Sequence, residues 1–465
     1  MYTLPLAEIE SIVGKENLLT APEERMCYSF DATNQKYVPD AVAFPRSAEH
    51  VSSLMRCANL HRFPVIPRGA GSGFAGGSLA VEGGLVLALT RMNRIVSIAS
   101  ENLTASVEPG VVTSDFQKAV GQSGLFYPPD PASLQFSTMG GNAATCAGGP
   151  RCVKYGVTKN YILGLEVVLP TGELLKTGVK TLKGVAGYDL TSLFVGSEGT
   201  LGVITLITVR LIPLPPARQC MLATFPRLDD APLAVSAIIK ARIIPSTLEF
   251  IDQAAIRCVE DYLHIGLPTQ AEALLLIEVD GDEEVIGKQC KAIEKICCGQ
   301  GASAFQIAHS PEEEAQLWKA RRSISPALLK LNPDKINEDI TVPLSRIPEI
   351  IRRVNAIAQK YRLINVSFGH AGDGNIHTNL MINRNNPDEV ARAHQAVREI
   401  FQATLELGGT ISGEHGIGIT KAPFLEMDIG SENRALMNRL KNLLDPHHIL
   451  NPGKLSLSWQ KTSLI

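Results

Sequence analysis

From about residue 65 to residue 210 the chain is a succession of short β-prone runs broken by glycine and proline, among them GGLVLAL, TASVEPGVV, ILGLEVVLPTGELLKTG and LGVITLITVRLIPLP. Runs of that length and punctuation read as strands joined by tight turns. LPTGELL reads as a hairpin reversing at Thr171-Gly172. The prolines of LIPLPPARQC (211–220) cannot continue a ladder and mark a linker. Beyond it the texture changes. Helical stretches such as APLAVSAIIKARI and DEVARAHQAVREIFQATLEL alternate with strand runs such as EALLLIEVD, EDITVPL and LINVSFGHA. That pattern predicts a second domain of helices packed on a sheet. Ahead of the β-rich region, AVAFPRSAEHVSSLMRCANLHRFPVIPRGAG reads as a strand, a helix capped by Ser47, and a strand running into glycine. The turn-rich DPHHILNPGKL near the end is expected to dock back on the first domain.

Composition excludes several classes. A formal net charge of −3 without a dense Lys/Arg stripe argues against nucleic-acid binding. No apolar run approaches the ~18 residues that span a bilayer, and MYTLPLAEIESIVGKE lacks the basic and apolar regions of a secretory signal. The expected location is cytoplasmic, or peripheral on the inner face of the membrane through a partner. The nine cysteines contain no C-x-x-C, so neither an iron–sulfur nor a zinc-knuckle pattern is present.

The loop IPRGAGSGFAGGSL (66–79) contains Gly71-Ser-Gly73-Phe-Ala-Gly76, formally G-x-G-x-x-G. A Rossmann unit needs a helix opening from the glycines and an acid ~20 residues on. Here another glycine-broken β-run follows, and RMNRIVSIAS supplies no acid. A Walker loop fails for want of G-K-[ST]. What remains is a nest of backbone N–H groups beside Arg68, suited to a pyrophosphate. Two further small-residue loops, STMGGNAATCAGG (137–149) and VGSEGTLGVIT (195–205), imply an extended ligand lying along backbone.

SFGHAGDGNIH (367–377) reads as a strand end, a tight reversal and a returning strand, placing His370 and His377 on neighbouring strands. Opposed side chains there lie ~5 Å apart at Cβ, close enough for two imidazoles to share one ion. In ISGEHGIG (411–418), Glu414 and His415 follow a strand-like run. Adjacent residues in extended chain point oppositely, so one ligates and the other stays available for chemistry. Two imidazoles and a carboxylate match the open site of catalytic zinc, although manganese or ferrous iron accepts the same donors. In LWKARRSISP (317–326) an arginine offers the bidentate fork that matches a carboxylate.

PRGAGSGFAGG, TMGGNAAT with YGVTKNYILGLEVVLPTGE, and GSEGTLGVIT resemble, in order and spacing, the FAD-binding domain of the vanillyl-alcohol-oxidase type. The second half resembles that superfamily's D-2-hydroxyacid dehydrogenases, which include D-lactate dehydrogenase and the FAD subunit of glycolate oxidase. The resemblance implies an α+β chain with a two-subdomain FAD-binding domain (1–217), a cap domain with an antiparallel sheet and a metal site (218–425), and a C-terminal segment (426–465) returning to the FAD domain. By carry-over, Arg68, Gly69, Gly71, Ser72 and Gly73 hold the pyrophosphate. Thr138, Gly141, Asn142 and Gly148 line the flavin and ribityl chain, with Glu198, Gly202 and Val203 nearby. The first loop has no histidine, so dissociable FAD is expected. His370, His377 and Glu414 become metal ligands, with zinc expected first, and His415 the catalytic base. Arg321, Ser325 and Asn379 become substrate contacts.

Family members acting on hydroxyglutarate carry a lysine two residues before the Asp-Ile of the following strand, where this chain has Asn337, with Lys335 displaced. That favours a small monocarboxylate, D-lactate or glycolate, over D-2-hydroxyglutarate. Electrons are expected to leave for an external acceptor: an iron–sulfur subunit, an electron-transfer flavoprotein, a cytochrome or a quinone. A homodimer is compatible with this reading. Two competing readings are a flavin electron-transfer subunit active only in a complex and a metal hydrolase with structural glycine loops.

Overall fold

The strand–helix–strand around Ser47 forms as the sequence predicts. Ser47 Oγ accepts from His50 N at 3.3 Å and starts the helix Ala48–His61, which joins the strands Ala41–Ala43 and Val65–Arg68. The computed structural model describes residues 2–457 and resolves them into two units, each treated by itself below.

Among the described residues the first unit comprises 2–147, 157–214 and 414–457. Its parallel core pairs Ala41–Ala43 and Val65–Arg68 on either side of Leu85–Ala88, with Leu18–Leu19 antiparallel at the edge. Val51, Leu54 and Met55 pack from the helix onto Val65, Leu85 and Leu87. Each such apolar side chain contributes roughly 1.5–3 kcal/mol when fully buried. The second sheet runs in the order Ile95–Ala99, Thr104–Val107, Val203–Arg210, Ile162–Val168, Leu174–Gly178, all antiparallel. The hairpin at Thr171-Gly172 is present, with Gly172 at φ +86° and its N–H donating to Leu169 O at 2.8 Å. The C-terminal segment adds to the parallel sheet: Val65 N donates to Ile449 O at 2.7 Å and Asn451 N to Val65 O at 2.8 Å. The chain leaves this unit after Leu214 and rejoins it at Glu414, earlier than the boundary at 425. The return comes early because the glycine-rich stretch 416–419 is bonded through its backbone to Glu198 and Ala75 of the same unit.

The second unit comprises Gly148–Gly156 and Pro215–Gly413. Its sheet has seven antiparallel strands in the order Ala304–Ile307, Ala217–Phe225, Ala273–Gly281, Thr247–Asp252, Ile364–His370, Asn375–Ile382, Asp334–Thr341. The helices Gln253–Leu263 and Ile324–Ala327 cover part of one face, burying Ile256, Val259 and Ile324 against Ile251, Val366 and Phe368. Asp252 caps the first of these through Ala255 N at 2.8 Å. Among the described residues no helix is long and apolar enough to cross a membrane, and all nine cysteines are free thiols.

Candidate active site

The first unit contains a cavity of about 1330 Å³, its open mouth included, walled by the three glycine-rich loops. Arg68, Gly69, Gly71, Ser72 and Gly73 line it from the first loop, Thr138, Gly141 and Asn142 from the second, and Glu198 and Gly202 from the third. The loops touch closely. A Cβ on Gly69 would strike Thr138 Oγ1, and one on Gly140 would meet Pro109. Thr138 caps the short helix Met139–Thr145 by accepting from Gly141 N at 3.2 Å. Asn142 is buried and donates to Thr113 Oγ1 at 2.8 Å.

Three residues carried over as cofactor contacts sit differently. Arg68 lines the cavity, but its guanidinium donates to Phe30 O at 2.8 Å and Ser78 Oγ at 3.1 Å and lies over the Tyr28 ring. It therefore also braces the loop. Val203 packs into the apolar core, because it follows Gly202 in extended chain and points to the other side. Gly148 begins the short piece Gly148–Gly156 that belongs to the second unit.

Glu414 and His415 also line the cavity of the first unit. The His415 ring stacks on Phe74 of the first loop, centroids 5.0 Å apart and planes at 29°. The stretch that follows is held by Glu198, whose two carboxylate oxygens accept from Ile417 N and Gly418 N, each at 2.7 Å. Burial pushes the Glu198 carboxyl up, opposed by those two N–H groups and by Lys454 and Lys421.

In the second unit the tight turn joins strand Ile364–His370 to Asn375–Ile382, and Asp373 makes it by accepting from Asn375 N at 3.1 Å. The register sets Asn375 opposite His370 and Phe368 opposite His377, so the histidines are diagonal neighbours rather than a directly opposed pair. Their rings still meet edge to face, centroids 5.0 Å apart, with Nε2 to Nε2 at 3.3 Å. Both are buried.

Glu249 is a residue that the sequence reading did not single out. It lies directly opposite His370 on the adjacent strand, is fully buried, and accepts from His370 Nδ1 at 2.6 Å and Arg321 Nε at 2.6 Å. Burial pushes its carboxyl up, but the charges of His370 and Arg321 and their hydrogen bonds outweigh this and hold it below the usual carboxylate value. A glutamate inside TLEFID, a run otherwise buried throughout, was the available signal. Arg321 also lies over the Phe368 ring at 4.9 Å. Ser325 accepts from Lys335 Nζ at 2.7 Å, and burial lowers the Lys335 ammonium to about 8. Asn379 is buried with its amide engaged, accepting from Asn337 at 2.6 Å and donating to Val366 O at 3.2 Å. Asp339, opposite His377, accepts from Ser412 Oγ and Gly413 N, the residues just before Glu414.

Residues 214–455 match the FAD-linked oxidase C-terminal domain and residues 39–178 match an FAD-binding domain. The chain belongs to the FAD-linked oxidase family. It is an oxidoreductase with FAD as its cofactor. It is 49% identical over 96% of its length to glycolate oxidase subunit GlcD of Bacillus subtilis (strain 168), covering 96% of that protein. It is 34% identical over 97% of its length to the probable mitochondrial D-lactate dehydrogenase of Danio rerio, covering 91% of that protein. Among solved structures it resembles p-cresol methylhydroxylase with substrate bound, at a TM-score of 0.81 and 18% identity over 97% of this chain and 96% of that one. That likeness establishes the fold: this FAD-linked oxidase has the vanillyl-alcohol-oxidase type of architecture, mixed helix and sheet with antiparallel sheets.

Proposed function

We propose that the protein oxidises a small D-2-hydroxyacid, D-lactate or glycolate, to the 2-oxoacid. The observation that carries this reading is the buried group of Arg321, Glu249, His370 and His377 on one face of the cap sheet. It offers a carboxylate fork and a pair of converging imidazole nitrogens. A tetrahedral ion with metal–nitrogen bonds of ~2.0–2.1 Å separates two histidine donors by roughly 3.3 Å. The two Nε2 atoms are 3.3 Å apart, so the donor set fits a shared divalent ion. Zinc is the first choice, with manganese or ferrous iron accepting the same donors.

Glu414 is the proposed third ligand. The preceding Gly413 is tied to Asp339, the cross-strand partner of His377, and so fixes where the chain enters Glu414. Arg321 binds the substrate carboxylate through its terminal nitrogens, since its Nε is taken by Glu249. Ser325, one helical turn on, and Asn379 complete the substrate pocket. Bound FAD supplies the two-electron acceptor, and a bound divalent ion supplies Lewis acidity toward the substrate hydroxyl. His415 takes the hydroxyl proton on its imidazole, with Phe74 stacked against the ring to hold it in place. The glycine loops hold FAD without a covalent bond, because no histidine occurs in residues 66–79. Electrons then pass to an acceptor outside this chain: an iron–sulfur subunit, an electron-transfer flavoprotein, a cytochrome or a quinone. The setting proposed for this exchange is the cytoplasm or the inner membrane face.

Anaerobic absorbance of the protein-bound flavin tests the reading. D-lactate or glycolate should bleach it and L-lactate should not. Chelator should abolish the bleaching, and one divalent metal should restore it. D-2-hydroxyglutarate bleaching better than either would move the substrate to a dicarboxylate. A yellow protein that none of these acids bleaches, metal present, would overturn the proposal.

A further inference from the structure

We propose that Glu249 is a positioning residue that couples the two halves of this site, fixing His370 in one tautomer while aiming Arg321; this rests on the reading given under Proposed function. The argument begins with what each partner can do. An ionised carboxylate only accepts hydrogen bonds and a guanidinium only donates them. Glu249 Oε2 therefore accepts from Arg321 Nε, and Oε1 accepts from His370 Nδ1. In the neutral, metal-binding form of His370 the single proton then sits on Nδ1, which leaves Nε2 as a lone-pair donor facing Nε2 of His377. A carboxylate holding the far nitrogen of a metal-binding imidazole has this effect generally.

The strand register makes the arrangement rigid. Glu249 and His370 are direct antiparallel partners, and the neighbouring Leu248 and Phe250 are buried on the opposite side of the same strand. Glu249 is wholly buried, whereas an apolar set of similar volume would hold the sheet together equally well or better. Sheet stability alone is a poor reason for a carboxylate here. The site accounts for it.

Glu249→Gln tests this with one isosteric change. Arg321 Nε–H can only donate, so the amide oxygen turns toward it and the NH2 toward His370 Nδ1. That moves the imidazole proton to Nε2 and removes the lone pair. We expect the FAD-loaded variant to keep its fold and FAD while its affinity for Zn2+, read by calorimetry, falls roughly 10–100-fold. Imidazole 15N spectra of the metal-free protein should show the His370 proton on Nε2 in the variant and on Nδ1 in the wild type. In the double variant Glu249→Gln/Arg321→Met the amide is no longer pinned and can turn over. Zn2+ affinity should then recover toward wild type, while KM for the hydroxyacid does not. Should Glu249→Gln fail to fold, Glu249→Asp keeps the charge but cannot reach both partners, and Zn2+ affinity should fall there too.

A wild-type protein that binds neither Zn2+ nor Mn2+ would sink the metal reading under Proposed function and leave the tautomer spectra to decide the role of Glu249. A wild type that binds metal, beside a Glu249→Gln protein with unchanged affinity and an Nδ1 proton, would overturn the inference itself.

Discussion

Glu198→Gln is the sharpest test of how the flavin domain holds its C-terminal loop. The carboxylate accepts from Ile417 N and Gly418 N at 2.7 Å each, and Asn451 donates to its backbone oxygen at 2.8 Å. Both amides lie just after His415, which lines the cavity. Glutamine has a single oxygen, so one N–H keeps its acceptor and the other meets an NH2. A charge-assisted hydrogen bond contributes about 1.5–3 kcal/mol, and a buried donor left without an acceptor costs about 1–3 kcal/mol more. Removing a carboxylate that burial disfavours offsets part of this. The net loss should be about 3 kcal/mol, or a fall in Tm of roughly 6–12 °C for a unit of this size. FAD affinity should weaken with it, because the released segment forms part of the cavity wall. Thermal melts followed by flavin fluorescence and an FAD titration read the two quantities separately. A variant melting within about 2 °C of wild type, with unchanged FAD affinity, would show that the carboxylate does not clamp this loop.

Three further outcomes are expected. Gly71→Ala should weaken FAD binding by roughly tenfold or more, measured by fluorescence titration, since φ is +69° and the new Cβ would enter the Arg68 guanidinium. Asp252 is raised by burial to about 7, against three backbone hydrogen bonds that lower it. The folded state therefore binds the extra proton between about pH 4 and 7, so stability falls as pH rises through that window. Asp252→Asn should flatten the slope of Tm against pH from 5 to 8, whatever its Tm at one pH. Lys335 is lowered by burial to about 8, so the folded state sheds its proton first. Stability should then rise with pH between about 8 and 10, a gain that Lys335→Met should lack when melts at pH 7 and 9.5 are compared.

What was legible in the sequence was local. The turn joining His370 to His377 is written in consecutive residues, since Gly374 adopts φ +89° and Asp373 accepts from Asn375 two residues on. Ser47 and Thr171-Gly172 are local in the same sense, and each marked its element correctly. The prolines near 214 fall at the unit boundary, but Pro213 lies in a short strand paired with Leu125–Phe126 and a new strand starts at Ala217, so the stretch is no strand-free linker. Glu249 escaped because its meaning comes from pairing with a strand 121 residues away, and nothing within TLEFID names that partner. Arg68 shows the same limit. Beside a glycine nest an arginine reads as a phosphate ligand, and it does line the cavity, but the carbonyl that also holds it belongs to Phe30, 38 residues earlier. Val203 was different, because the alternation of an extended strand already opposes it to Gly202. The run LGVITLITVR reads as a strand, and its two-residue period alone turns Val203 toward the core, where the structure has it. Local rules thus located the turns and caps, while the hydrogen-bond partners of the buried charges depended on register between distant strands, which only the folded sheet fixes.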